Sequence, residues 1–211
     1  MKKILIYGDS NVWGDNFITR KRIPDESQWS NILQKELGND YKILQEGLPG
    51  RVAGSIEKEK QFKNGRDTFL STFRTNAPVD IIIIALGTND LQIKYDRETS
   101  CIIEDLLWYK DIIEQEYADE DNKNKYFKKG KLPEIIYILP THFTTVRRDN
   151  PIFNNHSEIK RQQIIKSFND NKIIKSYVFN DLELFADGIH LNYNGHAKLA
   201  NYVKNIIGEL T

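Results

Sequence analysis

The sequence predicts an α/β protein of three layers, α/β/α, around a central, mostly parallel five-stranded sheet. Three observations carry that expectation. Short runs of Ile, Val and Leu recur without polar alternation, as strands buried on both faces require. Segments with apolar residues every three or four positions lie between them. Strand and helix candidates alternate throughout, the pattern of crossover units that builds a parallel sheet.

Taken in order, KILIY (3–7) is the first strand. DESQWSNILQKELG (25–38) reads as a helix with Asp25 as N-cap and a closing glycine. YKILQEG (41–47) is a weaker strand, and VDIIIIAL (79–86) a strong one. RETSCIIEDLLWYKDIIEQEY (97–117) has helical period, and EIIYIL (134–139) is the next strong strand. KSYVFN (175–180) is a weaker fifth strand, before a last helix over NYNGHAKLANYVKNIIGEL (192–210).

Two stretches break the rhythm. ADEDNKNKYFKKGK (118–131) is acidic and then basic; it reads as a solvated helix end and loop, with a phosphate-binding lysine patch as the alternative. THFTTVRRDNPIFNNHSE (141–158) follows a strand and is long for a connection, as loops that shape substrate pockets often are.

The 211 residues suit one domain spanning 1–211, and 39% hydrophobic content is enough for a substantial core. Thirty basic side chains balance thirty acidic ones. That leaves no long-range field to gather nucleic acid or an anionic membrane, and little repulsion against self-association into a homo-oligomer. The one cysteine, Cys101, excludes an intrachain disulfide and any multi-cysteine metal site. It lies in a segment of helical period and reads as a small packing residue rather than a nucleophile. No apolar run approaches the roughly 20 residues of a membrane span. The start, MKKILIYGDS, has too short an apolar core for a signal peptide, so a cytoplasmic product is expected.

The chemistry-bearing residues fall at strand ends. The first strand runs into GDSNVWG (8–14), which puts Ser10 at the sheet's carboxyl edge, where backbone N–H groups can stabilise an anion. It is neither a Walker A loop nor a G-x-S-x-G elbow. The strand over 79–86 ends in LGTND (86–90), where Asn89 can aim its amide at a neighbouring strand end. Between them lies EGLPGRVAG (46–54), whose glycines allow a main-chain N–H to face a ligand. DGIHLNYNGH (187–196) sets Asp187 three residues before His190, a spacing that lets one tight segment put carboxylate beside imidazole. Asp187 as the cap of the helix beginning near Asn192 is the alternative. Each block alone is also what an ordinary turn or cap looks like.

Together and in this order, GDSNVWG, EGLPGR, LGTND and DGIHLNYNGH resemble the SGNH hydrolases, the GDSL-like lipases and esterases, over Gly8 to His196. The first block departs from the family pattern in carrying Asn11 where leucine is usual. The Leu-Pro-Gly-Arg of the second block, with Trp13 in the first, looks most like the arylesterase and acyltransferase-like branch. The resemblance implies a flavodoxin-like sheet and a role for each position. Ser10 would be nucleophile, His190 general base and then acid, and Asp187 the carboxylate that orients it. The Ser10 and Gly50 N–H groups and the Asn89 side-chain amide would form the oxyanion hole, with Gly47 and Gly54 competing for the Gly50 role. Asp9, Asn11, Trp13, Arg51, His142 and Phe143 are the candidates for a substrate pocket; Phe153 joins them, with core packing the alternative for the aromatic residues.

The expected reaction is hydrolysis of a small carboxylic ester (short-acyl, aryl or acetylated-sugar) through an acyl-enzyme. His190, with an ordinary pKa of about 6.5, is mostly neutral at neutral pH and can take the Ser10 proton. No metal or cofactor is expected, since no His/Asp/Glu grouping has a ligand pattern. Acyl transfer to an alcohol or sugar acceptor is the alternative within enzymes, and a non-catalytic carbohydrate-binding protein on the same fold the alternative outside them. His196 and His156 are expected to serve packing or surface.

Overall fold

The computed structural model describes residues 1–143, 152–172 and 174–210. A five-stranded sheet runs through its centre, built from β1 (Lys2–Gly8), β4 (Tyr41–Gly47), β5 (Ile81–Ala85), β6 (Glu134–Ile138) and β7 (Lys175–Tyr177). The order across the sheet is β4-β1-β5-β6-β7, and every pairing is parallel. A short antiparallel ribbon, β2 (Asp15–Asn16) and β3 (Lys21–Arg22), sits apart. The chain leaves β1 for one neighbour, β4, and returns to the other, β5. The strand order therefore reverses at β1, and ligands of open α/β sheets bind at the carboxyl ends beside such a point.

Both faces of the sheet are covered, which is why its strands read as unbroken apolar runs. Successive side chains of a strand point to opposite faces. Leu5 and Tyr7 of β1, with Ile82 and Ile84 of β5, pack against α3 (Gly65–Asn76), α4 (Thr99–Ala118) and α6 (Asn155–Asp170). Ile4 and Ile6, with Ile81 and Ile83, pack against α2 (Trp29–Leu37) and α7 (Tyr193–Glu209). Truncating one of these fully buried side chains to alanine costs about 2–5 kcal/mol.

Several expectations shift at their edges. The helix expected from Asp25 begins at Trp29, because Gln28 is extended and Asp25–Ser27 form a separate 3-10 turn. The Asp25 carboxylate instead accepts from the Gln28 side chain at 2.9 Å. Beyond a helix end and loop, the segment 118–131 holds a second short helix: Asp119 caps α5 (Glu120–Tyr126) and buried Phe127 follows. Its Lys128 pairs with Asp80 at the amino end of β5, the sheet edge opposite Ser10. The long connection expected over 141–158 gives way to α6 at Asn155, behind a capping box of Asn154 and Ser157. Its stretch 144–151 lies outside the described residues. Exposed His156 therefore sits in a helix rather than a loop. Among the described residues, no helix is long and apolar enough to cross a membrane.

Candidate active site

Ser10 opens α1 (Ser10–Trp13), a single helical turn immediately beyond β1. Asp9 caps that turn by accepting the Asn11 N–H at 2.9 Å. Gly14, in the left-handed region, ends it and turns the chain into β2.

The imidazole comes from a loop that folds on itself. Phe185 N–H donates to the His190 carbonyl at 2.7 Å, and Asn192 N–H to Glu183 at 3.1 Å. Within it one Asp187 oxygen accepts the N–H groups of Ile189 and His190, both at 3.1 Å. The other lies 2.5 Å from His190 Nδ1, and His190 Nε2 lies 3.0 Å from Ser10 Oγ. Asp187 therefore does not cap the last helix. Asn192 does, accepting from Gly195 N–H at 2.9 Å.

Charge follows from this packing. Burial pulls the His190 pKa down, but the hydrogen bond and charge of Asp187, with Asp15 and Asp9 further off, hold it above the ordinary value. Burial opposes ionisation of Asp187 too; His190 and the two N–H groups outweigh it and leave its pKa lowered. At Asp9 the Asn11 N–H and the nearby His190 and Arg51 do not make up for burial. Burial pushes its carboxyl up to about 6.

Two further strand ends meet the Ser10 turn. Asn89 follows β5, and its amide donates to the Arg51 carbonyl at 3.0 Å. Gln92 fixes which way that amide faces, donating to Asn89 Oδ1 at 2.7 Å. The end of β4 and the loop after it carry the three candidate glycines. A Cβ at Gly47 would lie 2.3 Å from the Trp13 backbone nitrogen, and one at Gly54 would lie 1.9 Å from Asp105 Oδ2. Both are packing glycines. Gly50 has φ +78°, which side chains disfavour, and faces only the flexible end of Lys63. An ion network holds this loop: Asp90 accepts the Ala53 N–H at 2.7 Å and pairs with Arg97 at 2.6 Å. Arg97 and Arg66 both pair with Asp105 of α4. The tail of LGTND thus braces the glycine loop, a role its sequence did not suggest.

The six pocket candidates separate. Asp9 and Asn11 line a small cavity of about 40 Å³ beside the turn, and Trp13, Arg51, His142 and Phe143 do not. It has room for water-sized molecules, and neither Ser10 nor His190 lines it. Asn11 also reaches past it, bonding to the Ile189 carbonyl and the Leu191 N–H. Arg51 is buried, donates to the Gly8 and Glu46 carbonyls and covers the Tyr7 ring, so it ties β1 to β4. Trp13 lies under the Arg22 guanidinium. Phe143 stacks on Phe153 at 4.4 Å; Phe153 belongs to the core, and half-buried Phe143 packs against it. His142 neighbours Thr141 at 3.3 Å. His196 is buried behind the turn, where its Nδ1 accepts the Trp29 N–H at 3.3 Å. Trp29 in turn donates its indole N–H to the Asn11 carbonyl at 3.2 Å. Among the described residues, no group of three or more His, Cys, Asp and Glu is arranged to hold a metal ion.

No family model matches the chain. Solved structures do. The aryl esterase of M. smegmatis superposes with a TM-score of 0.83 at 21% identity, covering 100% of both chains. A carbohydrate acetylesterase family member from Sinorhizobium meliloti gives 0.82 at 21%, covering 98% of this chain and 97% of that one. The chain has the SGNH-hydrolase fold. A more distant SGNH-type structure, the lipase/acylhydrolase of Enterococcus faecalis, gives 0.63 at 15%, covering 98% and 95%. In sequence, the chain is 28% identical over 133 residues to the N-acylneuraminate cytidylyltransferase of Escherichia coli. That match takes in 61% of this chain and 28% of the relative's length. On the SGNH fold, the four sequence blocks map to the carboxyl ends of β1, β4 and β5 and to the loop before α7.

Proposed function

We propose that the chain is a serine ester hydrolase acting on a small carboxylic ester through an acyl-enzyme. The observation that carries this reading is the continuous relay from Ser10 Oγ through His190 to Asp187, at 3.0 and 2.5 Å. His190 Nε2 takes the Ser10 proton as Oγ attacks the ester carbonyl. The tetrahedral oxyanion is stabilised by the Ser10 and Gly50 N–H groups and the free N–H of the Asn89 amide. Imidazolium Nε2 then gives its proton to the departing oxygen as the C–O bond breaks, and the alcohol leaves neutral. Water repeats both steps on the acyl-enzyme, releasing the acid and restoring Ser10. Asp187 stays ionised and fixes the tautomer with its proton on Nδ1.

A sugar ester is the favoured substrate class among short-acyl, aryl and acetylated-sugar esters. The fold neighbours include a carbohydrate acetylesterase, and the sequence relative is named for an acylated sugar. A purely carbohydrate-binding role leaves the buried, aligned relay without a purpose. Transfer of the acyl group to an added alcohol is the second outcome open to the same acyl-enzyme.

The test is a panel of p-nitrophenyl esters and acetylated sugars, assayed with and without an alcohol acceptor. Wild-type protein should turn over short esters. Ser10→Ala and His190→Ala should each lose on the order of 10⁴-fold or more, and the double variant little beyond that. Well-folded Ser10→Ala protein with near-wild-type turnover overturns the reading.

A further inference from the structure

His190 Nε2 faces a second carboxylate besides the relay. Asp15 Oδ2 lies 3.8 Å from it, at a partly exposed position. The placement is built rather than accidental. The left-handed Gly14 turns the chain out of the Ser10 turn, and Ile23 N–H donates to the Gly14 carbonyl at 2.8 Å. Asp15 then pairs through its backbone with Arg22, whose side chain donates to the Trp13 carbonyl at 2.7 Å. Next to it, Asn16 accepts the Ile18 and Thr19 N–H groups and closes the ribbon's turn. Yet the Asp15 carboxylate itself takes no Lys or Arg partner among the described residues; its one recorded ion-pair neighbour is His190.

Its position relative to the reaction decides what it can do. Nε2 must come within about 2.6–3.2 Å of the leaving oxygen to protonate it. A carboxylate 3.8 Å from that nitrogen therefore borders the space the departing alcohol occupies. It does not touch the bond that breaks. A carboxylate only accepts hydrogen bonds, so its complement is a hydroxyl one carbon away from the ester oxygen. Charge-assisted bonds of this kind are the stronger ones. The same charge disfavours a leaving group that itself carries an anion.

Resting on the esterase reading, we infer that Asp15 is a specificity-determining residue that accepts a hydrogen bond from the neighbouring hydroxyl of the leaving alcohol. Preferred substrates are then esters of vicinal diols, such as partly acylated sugars, over esters of simple alcohols. The acyl side is left to Gly50 and Asn89, and recognition of the alcohol side begins at Asp15.

Two esters of nearly equal size isolate this contact: 2-hydroxyethyl acetate, which has the hydroxyl, and propyl acetate, which lacks it. Wild-type kcat/KM should favour the hydroxylated ester, and Asp15→Ala should reduce that preference at least about tenfold. Any effect of the substitution on His190 multiplies both rates alike and cancels in the ratio. Asp15→Asn is the second variant, and fluorophosphonate labelling of Ser10 reports that the site of each is assembled. A wild-type protein without preference, or an unchanged ratio in labelled Asp15→Ala, overturns the assignment. Turnover of neither ester by wild type, with no labelling of Ser10, overturns instead the esterase reading on which it rests.

Discussion

Asn11 holds His190 from both sides: its side chain donates to the Ile189 carbonyl at 3.2 Å and accepts the Leu191 N–H at 2.9 Å. The residue after Ser10 thus fixes the loop that carries His190, which a leucine at this position cannot do. Asn11→Leu should lower kcat about tenfold or more, since two hydrogen bonds of about 1 kcal/mol each are lost, and leave KM nearly unchanged. Asn11→Asp keeps the acceptor and should recover part of the loss. Kinetics with parallel thermal melts decide; an unchanged kcat in Asn11→Leu makes the contact incidental.

The His190 pKa is held above its ordinary value, and protonated His190 cannot act as base. The acidic limb of kcat/KM should therefore lie above the ordinary histidine value. Asp187→Asn removes the charge that favours the imidazolium and should move the limb to lower pH while cutting turnover heavily. A pH–rate profile that keeps both rate and limb would remove Asp187 from the relay.

Asn89 and Gln92 form a donor and its support. Asn89→Ala should cost about 10²–10³ in kcat and little in KM, because the oxyanion exists only along the reaction path. Gln92→Ala leaves the donor in place but frees its amide to rotate, so the same pattern should appear, smaller. A change confined to KM in Asn89→Ala would make it a contact to bound substrate instead.

His196 is buried and its pKa is lowered by that burial to about 4. The unfolded chain binds this proton near the ordinary histidine value, so between about 6.5 and about 4 it holds more protons than the folded chain. Stability should fall as pH drops through that window, by at most roughly 3 kcal/mol from this one group. Asp9, raised to about 6, acts in the opposite sense over part of it. Comparing wild type with His196→Gln in urea melts at several pH values isolates the histidine. Parallel stability curves for the two proteins would refute it.

The sequence was most legible where a residue's surroundings repeat along the chain. YKILQEG matches β4 residue for residue, since its neighbour β1 and the adjacent glycine loop leave no freedom at either end. Helices α3 and α6 were not read, because their mean hydropathy is low and only a few residues, such as Phe69, Phe73 and Phe168, reach the core. At the site, the SGNH-type blocks pointed to Ser10, Asp187 and His190, which hydrogen bonds join in space, and to Asn89, which bonds to Arg51 and Gln92 instead. Arg51 and Phe143 have the chemistry of pocket residues, but a one-dimensional pattern does not say which way a side chain points. Asp15 and Asp90 act through contacts with residues from other elements, and no local spacing announces those.

The two halves of the relay stand 180 residues apart, with Ser10 after the first strand and His190 just before the last helix. A growing chain makes the hydroxyl 180 residues before the imidazole that pairs with it. Until the 187–190 loop docks, Ser10 is an alcohol without a base, and an unfinished chain cannot be acylated through this relay. That docking places the loop beside α7, whose His196 accepts the Trp29 N–H. Ester turnover during refolding would thus report the docking of the 187–190 loop on Ser10 rather than the formation of the first strand.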